Sequence, residues 1–309
     1  MNSKNSHDEF SGVWTAVVTP FRHDFLLDLK SFEKLLEKQA EAKIAGVVVA
    51  GTTGESPTLT VQEKMTLIRK ARAVLPRTIR VMAGTGGSDT YQSAELSKLA
   101  VDSGADSLLI VTPPYNKPSP AGLLKHFELI SSYVPKTPIC LYHVPGRTAQ
   151  FLSVETLAKL CELPQIIGVK EASGDVGFFS RSKIKTSAAG KNLSFLSGDD
   201  PTYLASLAVG GVGVISVISN IFPSAMVRLT EKFRAGDIQV AYSIHEILLE
   251  AIDIIFCEAN PGPIKAALHI ENIGENILRM PLAPVTEQNF ERIKDTIVQT
   301  QTKLQKFLA

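Results

Sequence analysis

Cysteine is scarce in this sequence: its 309 residues include only Cys140, Cys161 and Cys257. Three scattered cysteines are too few for a disulfide framework or for a zinc site made of cysteine ligands. No two of the six histidines have the spacing that metal ligands require. The sequence therefore predicts no metal and no other cofactor, and its free thiols indicate the reducing environment of the cytoplasm.

The sequence also lacks an excess of charge of one sign and a long apolar run. It has 32 Lys and Arg against 31 Asp and Glu and no basic block, so neither nucleic acid nor a membrane is an expected partner. Residues 1–9 contain no apolar stretch typical of a secretory signal. The apolar segment 244–257 is interrupted by Glu246, Glu250 and Asp253, which predicts a helix facing a protein core rather than a membrane span.

Short runs rich in β-branched residues alternate with segments of helical periodicity. The predicted strands are Val13–Val18, Gly46–Ala50, Ile79–Ala83, Ser107–Val111, Ile139–Tyr142, Ile166–Lys170, Leu193–Leu196 and Val212–Val217. The helical segments include Asp28–Ala42, Thr60–Leu75, Thr90–Ser103, Pro120–Ser132, Ser153–Cys161 and Pro201–Val209. Eight strands, each followed by a helix, are typical of a (β/α)8 TIM barrel, an α/β fold. A doubly wound sheet is the alternative, but its usual glycine-rich loop after the first strand is missing.

The predicted barrel ends near Ala235 and Gly236, which form a helix-stop signal. Roughly three more helices follow, and the last of them spans Thr286 to Leu308. We therefore predict a catalytic barrel of residues 1–235 and a helical C-terminal domain of residues 236–309 that packs on the barrel.

Lys170 lies where a lysine is costly. It ends the apolar run Ile166–Val169, so we expect it at the carboxyl end of a buried strand, where (β/α)8 barrels place their chemistry. Removal from water favours the neutral amine, which is the form that attacks a carbonyl group. The alternative is a structural lysine that is ion-paired or extends its amine to solvent.

The other strand ends favour amine chemistry. They supply phenols, hydroxyls and small residues, among them Tyr142, Tyr115 and Thr52. The glycine runs at residues 84–87 and 210–213 match no complete phosphate-loop pattern. A serine nucleophile is not indicated either, because the sequence contains no G-x-S-x-G motif.

Five motifs in register resemble the dihydrodipicolinate synthase family over nearly the whole chain. They are G-T-T-G-E-S at 51–56, Y-H-V-P-G-R-T at 142–148, G-V-K-E-A at 168–172, S-G-D-D at 197–200 and N-P-G-P-I-K at 260–265. These pyruvate-dependent class I aldolase-type enzymes share a (β/α)8 barrel with a C-terminal helical domain. The resemblance implies a lyase that condenses pyruvate with L-aspartate-4-semialdehyde to 4-hydroxy-tetrahydrodipicolinate through a lysine Schiff base, in diaminopimelate and lysine biosynthesis.

The resemblance also implies catalytic roles. Lys170 matches the Schiff-base lysine, and Tyr142 matches the tyrosine that transfers protons. Thr52 matches a threonine that links this phenol to a second one, and the N–H groups of Thr52 and Thr53 would bind the pyruvate carboxylate. Tyr115 matches a tyrosine that enters a neighbouring subunit's active site, which implies at least a dimer and, as is usual in the family, a homotetramer built as a dimer of dimers. Each residue also has a structural alternative. Tyr142 would be a core aromatic, Thr52 and Thr53 would belong to an ordinary strand-to-helix turn, and Tyr115 would be a surface aromatic.

Three further residues match substrate-binding positions. Gly198 and Ile215 match positions that contact pyruvate through backbone and small apolar surface. Arg147 matches an arginine that sialic acid lyases and 2-keto-3-deoxygluconate aldolases generally lack. Its guanidinium would bind the semialdehyde carboxylate in a bidentate pair, and a structural salt bridge is the alternative. His143 departs from the family, which commonly has asparagine there.

Two other functions stay open at this point. One is a 2-keto-3-deoxy sugar acid aldolase or an enzyme like N-acetylneuraminate lyase. The other is a non-catalytic binding barrel, against which the presence of the whole catalytic set argues.

The sequence also departs from family members that L-lysine inhibits strongly. Those members bind lysine at a dimer interface through histidine, glutamate and tyrosine side chains. Of the corresponding positions only Ser56 is kept, and the others are Pro57, Val61, Lys64, Ser88, Gln92 and Pro114. These replacements remove side chains that would bind the amino and carboxylate groups of lysine, and the positive charge of Lys64 would repel its ammonium group. The sequence therefore predicts an enzyme that is insensitive to lysine.

Overall fold

The computed structural model describes residues 9–308. Eight strands form a closed barrel in chain order, from β1 to β8. They are β1 Gly12–Ala16, β2 Gly46–Val49, β3 Arg80–Gly84, β4 Ser107–Val111, β5 Ile139–His143, β6 Ile166–Glu171, β7 Ser194–Ser197 and β8 Gly213–Ser216. The predicted (β/α)8 barrel is therefore confirmed.

Helices alternate with these strands and continue after the last one. They are α1 Leu29–Glu41, α2 Val61–Val74, α3 Thr90–Asp102, α4 Pro120–Tyr133, α5 Pro145–Thr148, α6 Val154–Leu160, α7 Val176–Ala188, α8 Tyr203–Ala208, α9 Pro223–Arg234, α10 Ile238–Ile254, α11 Gly262–Ile270 and α12 Glu287–Leu308. The last three are the C-terminal helices that the sequence predicts. No helix in the described part of the chain is long and apolar enough to cross a membrane.

Polar side chains fix where several helices begin. The Asp28 carboxylate accepts hydrogen bonds from two backbone N–H groups in the first turn of α1. At the start of α2, Thr60 and Glu63 form a reciprocal capping box. Ser119 caps α4, whose first residue is a proline that needs no N–H partner. These caps satisfy donors that a helix leaves unpaired, so each helix starts close to the position that the sequence indicates.

The described residues group into two compact units. One consists of Arg80–Ile215 with the N-terminal segment that ends at Gly12, and it carries β3 to β7. The other consists of Val13–Ile79 with the chain from Ser216 onward, and it carries β2 and helices α9 to α12. The domain boundary at residue 235 stays a prediction.

Close packing of an aromatic ring on a strand glycine organises the core of the first unit. Phe10 is fully buried, and a Cβ atom on Gly168 would lie 2.4 Å from its ring. No other residue fits at this position of β6 without displacing the ring. In the second unit, α10 buries Ile244, Leu248 and Ile252 and packs on α9 and α12, which confirms the predicted core-facing helix.

All three cysteines are free thiols. Cys140 and Cys161 are buried, and loss of solvent raises the pKa of each to about 12. Cys257 is only partly covered; burial and, to a smaller extent, the charge of Glu258 raise its pKa as well.

Candidate active site

Lys170 and Tyr142 lie side by side near the carboxyl ends of β6 and β5. Each is the penultimate residue of its strand, and the two are partners in the parallel pairing. The Nζ atom of Lys170 is 4.3 Å from the centroid of the Tyr142 ring. The lysine is 6% exposed and the tyrosine 7%. The aromatic ring of Tyr142 therefore lies next to the amine, and the role of its hydroxyl in proton transfer stays a prediction.

An irregularity in the strand pairing produces this arrangement. Ile139 pairs with Ile166, but Cys140 pairs with Gly168, so β6 contains one extra residue, Ile167. With continuous pairing, Tyr142 would lie opposite Val169 instead of Lys170. A bulge of this kind commonly re-aims a side chain next to a functional site.

Gly198, directly after β7, leaves the space that the Lys170 side chain occupies. A Cβ atom on Gly198 would lie 2.7 Å from Lys170 Cε and 2.6 Å from Ala172 Cβ. Its N–H donates to the carbonyl oxygen of Glu171 at 2.6 Å, which keeps the backbone close to β6. Ile215 in β8 is fully buried. Gly198 therefore lies against Lys170, and a larger residue at this position would clash with the lysine side chain.

Arg147 lies in α5, just after β5, and its side chain is exposed. Within residues 9–308 the guanidinium makes no hydrogen bond and no ion pair. The structural salt bridge considered as its alternative is therefore not found in the described part of the chain. A guanidinium is always charged, so it can bind an anionic group of a ligand.

Tyr115 lies on the loop between β4 and α4 and is 91% exposed. Its backbone has a φ of 71°, a left-handed conformation that costs a non-glycine residue about 1 kcal/mol or more. The neighbouring backbone is fixed because Ser88 Oγ donates to Pro114 O at 3.0 Å and Asn116 Nδ2 donates to Ser88 O at 2.8 Å. The loop thus holds the phenol outward, toward solvent.

His143 and Glu171 form a buried pair for which sequence reasoning gave no role. Each follows a site residue by one position, and they are partners in the same strand pairing. His143 Nδ1 is 3.1 Å from Glu171 Oε1, and the two side chains are 0% and 3% exposed. The adjacency of a histidine to Tyr142 and a glutamate to Lys170 was the available signal, but recognising it requires the register of β5 and β6.

In the second unit, Thr52 and Thr53 lie in the turn that follows β2. Thr53 is 3% exposed, and its Oγ1 accepts a hydrogen bond from Asn260 Nδ2 at 3.0 Å. The residues Ala50 and Glu55 on either side have positive φ angles of 53° and 55°. A non-glycine backbone takes this conformation only where its surroundings enforce it, so the turn has a defined shape.

A second buried lysine, Lys265, has a structural partner in this unit. Its Nζ donates to Glu55 Oε1 at 2.7 Å and to Thr19 O at 2.9 Å. Lys265 is 2% exposed and Glu55 0%, and the ammonium lies 4.4 Å from the ring centroid of Phe21. Desolvation lowers the pKa of Lys265, against the opposing charge of Glu55. Lys170, in contrast, has no ion-pair partner among residues 9–308.

Comparison with known proteins identifies the family of this chain. A model of the dihydrodipicolinate synthetase family matches residues 9–300. The 4-hydroxy-tetrahydrodipicolinate synthase of Leptospira biflexa is 41% identical over 288 residues, which cover 92% of this chain and 96% of the relative.

Solved structures of the same kind superpose on nearly the whole chain. Dihydrodipicolinate synthase from Thermotoga maritima has a TM-score of 0.92 and 37% identity, covering 95% of this chain and 99% of that chain. The enzyme from Acinetobacter baumannii, solved with pyruvate, has a TM-score of 0.90 and 38% identity, covering 94% and 99%. The chain therefore belongs to the dihydrodipicolinate synthetase family.

Proposed function

We propose that this protein catalyses the 4-hydroxy-tetrahydrodipicolinate synthase reaction, in which pyruvate condenses with L-aspartate-4-semialdehyde. The observation that carries the proposal is the buried amine of Lys170, which has no ion-pair partner among the described residues and lies 4.3 Å from the ring centroid of Tyr142. Membership of the family and the name of the Leptospira biflexa relative support it. The product's place in diaminopimelate and lysine biosynthesis follows from the same proposal.

The reaction begins with the covalent capture of pyruvate. The neutral amine of Lys170 adds to the ketone carbon, and loss of one water gives an iminium. The iminium withdraws electrons, so a proton can leave the pyruvate methyl group and an enamine forms. The methyl carbon then attacks the aldehyde carbon, whose oxygen becomes the new hydroxyl. Finally the substrate's own amine attacks the imine carbon, closes the ring and releases Lys170.

Tyr142 is the proposed proton carrier for these steps. A phenol can give a proton to the departing water and take one from the incoming amine. We assign Thr52 to the link between this phenol and a second one. We assign the N–H groups of Thr52 and Thr53 to the pyruvate carboxylate, and the fixed turn around them, with Asn260 bound to the Thr53 hydroxyl, supports this role. Gly198 and Ile215 shape the surface against pyruvate.

The proposed assembly is a homotetramer in which Tyr115 completes a partner's site. The outward, conformationally fixed position of Tyr115 supports this assignment, since no side-chain hydrogen bond within residues 9–308 accounts for a 91% exposed tyrosine with a left-handed backbone. Sedimentation velocity gives the subunit number directly. We further propose a cytoplasmic location, which the three free thiols support.

Steady-state turnover tests the function. Pyruvate is offered with aspartate semialdehyde in one assay and with sugar-derived aldehydes in others, each read by pyruvate consumption. We expect the specificity constant for the semialdehyde to exceed the others by at least about a hundredfold, because only this substrate offers Arg147 a carboxylate beside the aldehyde. Preferred turnover of a polyhydroxylated aldehyde would instead identify a sugar acid aldolase or lyase.

Replacement of Arg147 with alanine is expected to separate the two substrates. The specificity constant for the semialdehyde should fall by roughly tenfold to over a hundredfold, the effect of a lost charged hydrogen bond of about 1.5–3 kcal/mol. The rate at which borohydride traps the imine of pyruvate on Lys170 should stay within twofold of the unsubstituted protein. The melting temperature should not change because the Arg147 side chain is exposed. Equal losses in capture and turnover would mean that the arginine does not discriminate between the substrates.

L-Lysine is not expected to inhibit the enzyme at millimolar concentration. Each replaced partner costs on the order of 1 kcal/mol or more of binding free energy, and several are replaced together. Initial rates at increasing lysine, with pyruvate held near its KM, provide the measurement. Half-inhibition below one millimolar, or a crystal with lysine between Ser56 and Gln92, would contradict the prediction.

A further inference from the structure

The two ring nitrogens of His143 bind different parts of the chain. His143 is the last residue of β5 and is fully buried. Its Nε2 is 3.2 Å from the backbone N of Leu152, and its Nδ1 is 3.1 Å from Glu171 Oε1. One imidazole thus joins a loop on one side to the strand of the candidate nucleophile on the other.

These contacts define the tautomer of the ring. The backbone N–H of Leu152 can only donate, so Nε2 must accept and carries no hydrogen. Nδ1 then carries the ring hydrogen and donates it to the Glu171 carboxylate. The same carboxylate oxygen accepts the N–H of Ser173 at 2.9 Å. An imidazole with defined hydrogen-bonding roles for its two nitrogens therefore occupies this position.

The segment 144–152, here called the Arg147 loop, is held by His143 and carries Arg147. The hydrogen bond to Leu152 joins residues nine positions apart, and Arg147 lies between them on the four-residue helix α5. Because the Arg147 side chain is exposed and makes no ion pair within residues 9–308, its position depends on the backbone of this loop. On the other side of the ring, Glu171 directly follows Lys170.

Aromatic rings keep the imidazole in place. The His143 ring is 5.1 Å, centroid to centroid, from Phe151 and also from Phe178, and those two rings are 4.8 Å apart. Phe151 belongs to the Arg147 loop and Phe178 to α7. Packing against these two neighbouring rings limits rotation of the imidazole, so each nitrogen keeps its partner.

We propose that His143 is a positioning residue, which holds the Arg147 loop through Nε2 and the Lys170 strand end through Nδ1. This inference rests on the proposed function, since it gives the loop its task of presenting Arg147 to the second substrate. The Nε2 contact governs recognition of the semialdehyde, and the Nδ1 contact governs the environment of the amine that captures pyruvate.

Two substitutions separate the contacts. In H143N the amide nitrogen can take the place of Nδ1 and donate to Glu171, but nothing accepts the Leu152 N–H. In H143Q the amide oxygen can take the place of Nε2, and the donor to Glu171 is lost. H126N is the matched control, because His126 is also a buried histidine with a side-chain hydrogen bond. Its Nδ1 lies 2.9 Å from Thr90 Oγ1, and this bond joins α4, which carries His126, to α3, which carries Thr90.

Each variant has its own expected result. H143N should raise the KM for the semialdehyde about three- to tenfold, with borohydride capture of pyruvate within twofold of the unsubstituted protein. H143Q should slow capture about three- to tenfold and leave that KM within twofold. H126N should change neither. Hydrogen exchange of a peptide covering residues 144–153 should accelerate in H143N and not in H143Q or H126N.

The readouts distinguish this inference from the proposed function. If the unsubstituted protein captures pyruvate but does not turn over the semialdehyde, the proposed function fails, while the exchange rates of residues 144–153 still test the loop contact. If the unsubstituted protein is active and H143N and H143Q alter KM and capture alike, His143 has only a structural role. Unchanged exchange in H143N overturns the proposal.

Discussion

Substitution of Lys170 by arginine is expected to abolish the capture of pyruvate. Arginine keeps the positive charge but cannot act as a neutral amine, so no iminium forms and borohydride leaves no adduct. Turnover with both substrates should fall by at least about a thousandfold, because the whole reaction passes through the covalent intermediate. K170M, which is similar in size to lysine, should behave in the same way and avoids crowding against Gly198.

Mass spectrometry of the trapped protein checks this prediction. The unsubstituted protein should gain one reduced pyruvate adduct per chain, on the peptide that contains Lys170. The melting temperatures of both variants show whether they are folded. An adduct on Lys117 or Lys265, or full activity of K170R, would remove Lys170 from the mechanism.

Substitution of Lys265 by methionine is expected to cause a large loss of stability. The change leaves the Glu55 carboxylate, which is 0% exposed, without its ionic partner. Removal of one member of a buried ion pair typically costs about 3–5 kcal/mol, because the remaining charge stays out of water and loses its directly bonded partner. We expect the free energy of unfolding, measured by urea denaturation, to fall by that amount.

The double variant E55Q/K265M is the matched control for this prediction. Without the glutamate charge, most of the loss should be recovered, since the cost arises from an unpaired charge rather than from the missing lysine. Glu55 also accepts the backbone N–H of Arg279 at 3.0 Å, and the glutamine oxygen can keep that bond. Equal stability of the single and double variants would show that Lys265 contributes through packing instead.

The sequence predicts the barrel well because the strands are short and apolar, most contain β-branched residues, and several of the helices between them have a clear start. α5 is too short for any periodicity, and its four residues were not predicted as a helix. α7 buries Ser182 and Thr186 as well as two phenylalanines, so its apolar pattern is weak. Neither helix therefore shows a clear contrast between an apolar and a polar face in the sequence.

In the candidate site, features that depend on neighbouring residues in the sequence could be predicted, and contacts between distant residues could not. Lys170 is visible in the sequence because a charge ends an apolar run. The nearness of Tyr142 depends on the extra residue in β6, since strand register follows from tertiary pairing. The pairing of His143 with Glu171 depends on the same register. The bond from Asn260 to Thr53 joins residues 207 positions apart, and no local pattern indicates it.

The burial of two thiols has a practical consequence for following the protein in solution. Because Cys140 and Cys161 are enclosed and protonated, a thiol reagent added to the native chain can reach only Cys257. Unfolding exposes all three. The number of thiols that react within a short pulse should therefore rise from one to three as the structure opens, so a chromogenic thiol reagent would report the fraction of unfolded molecules without any substitution in the chain.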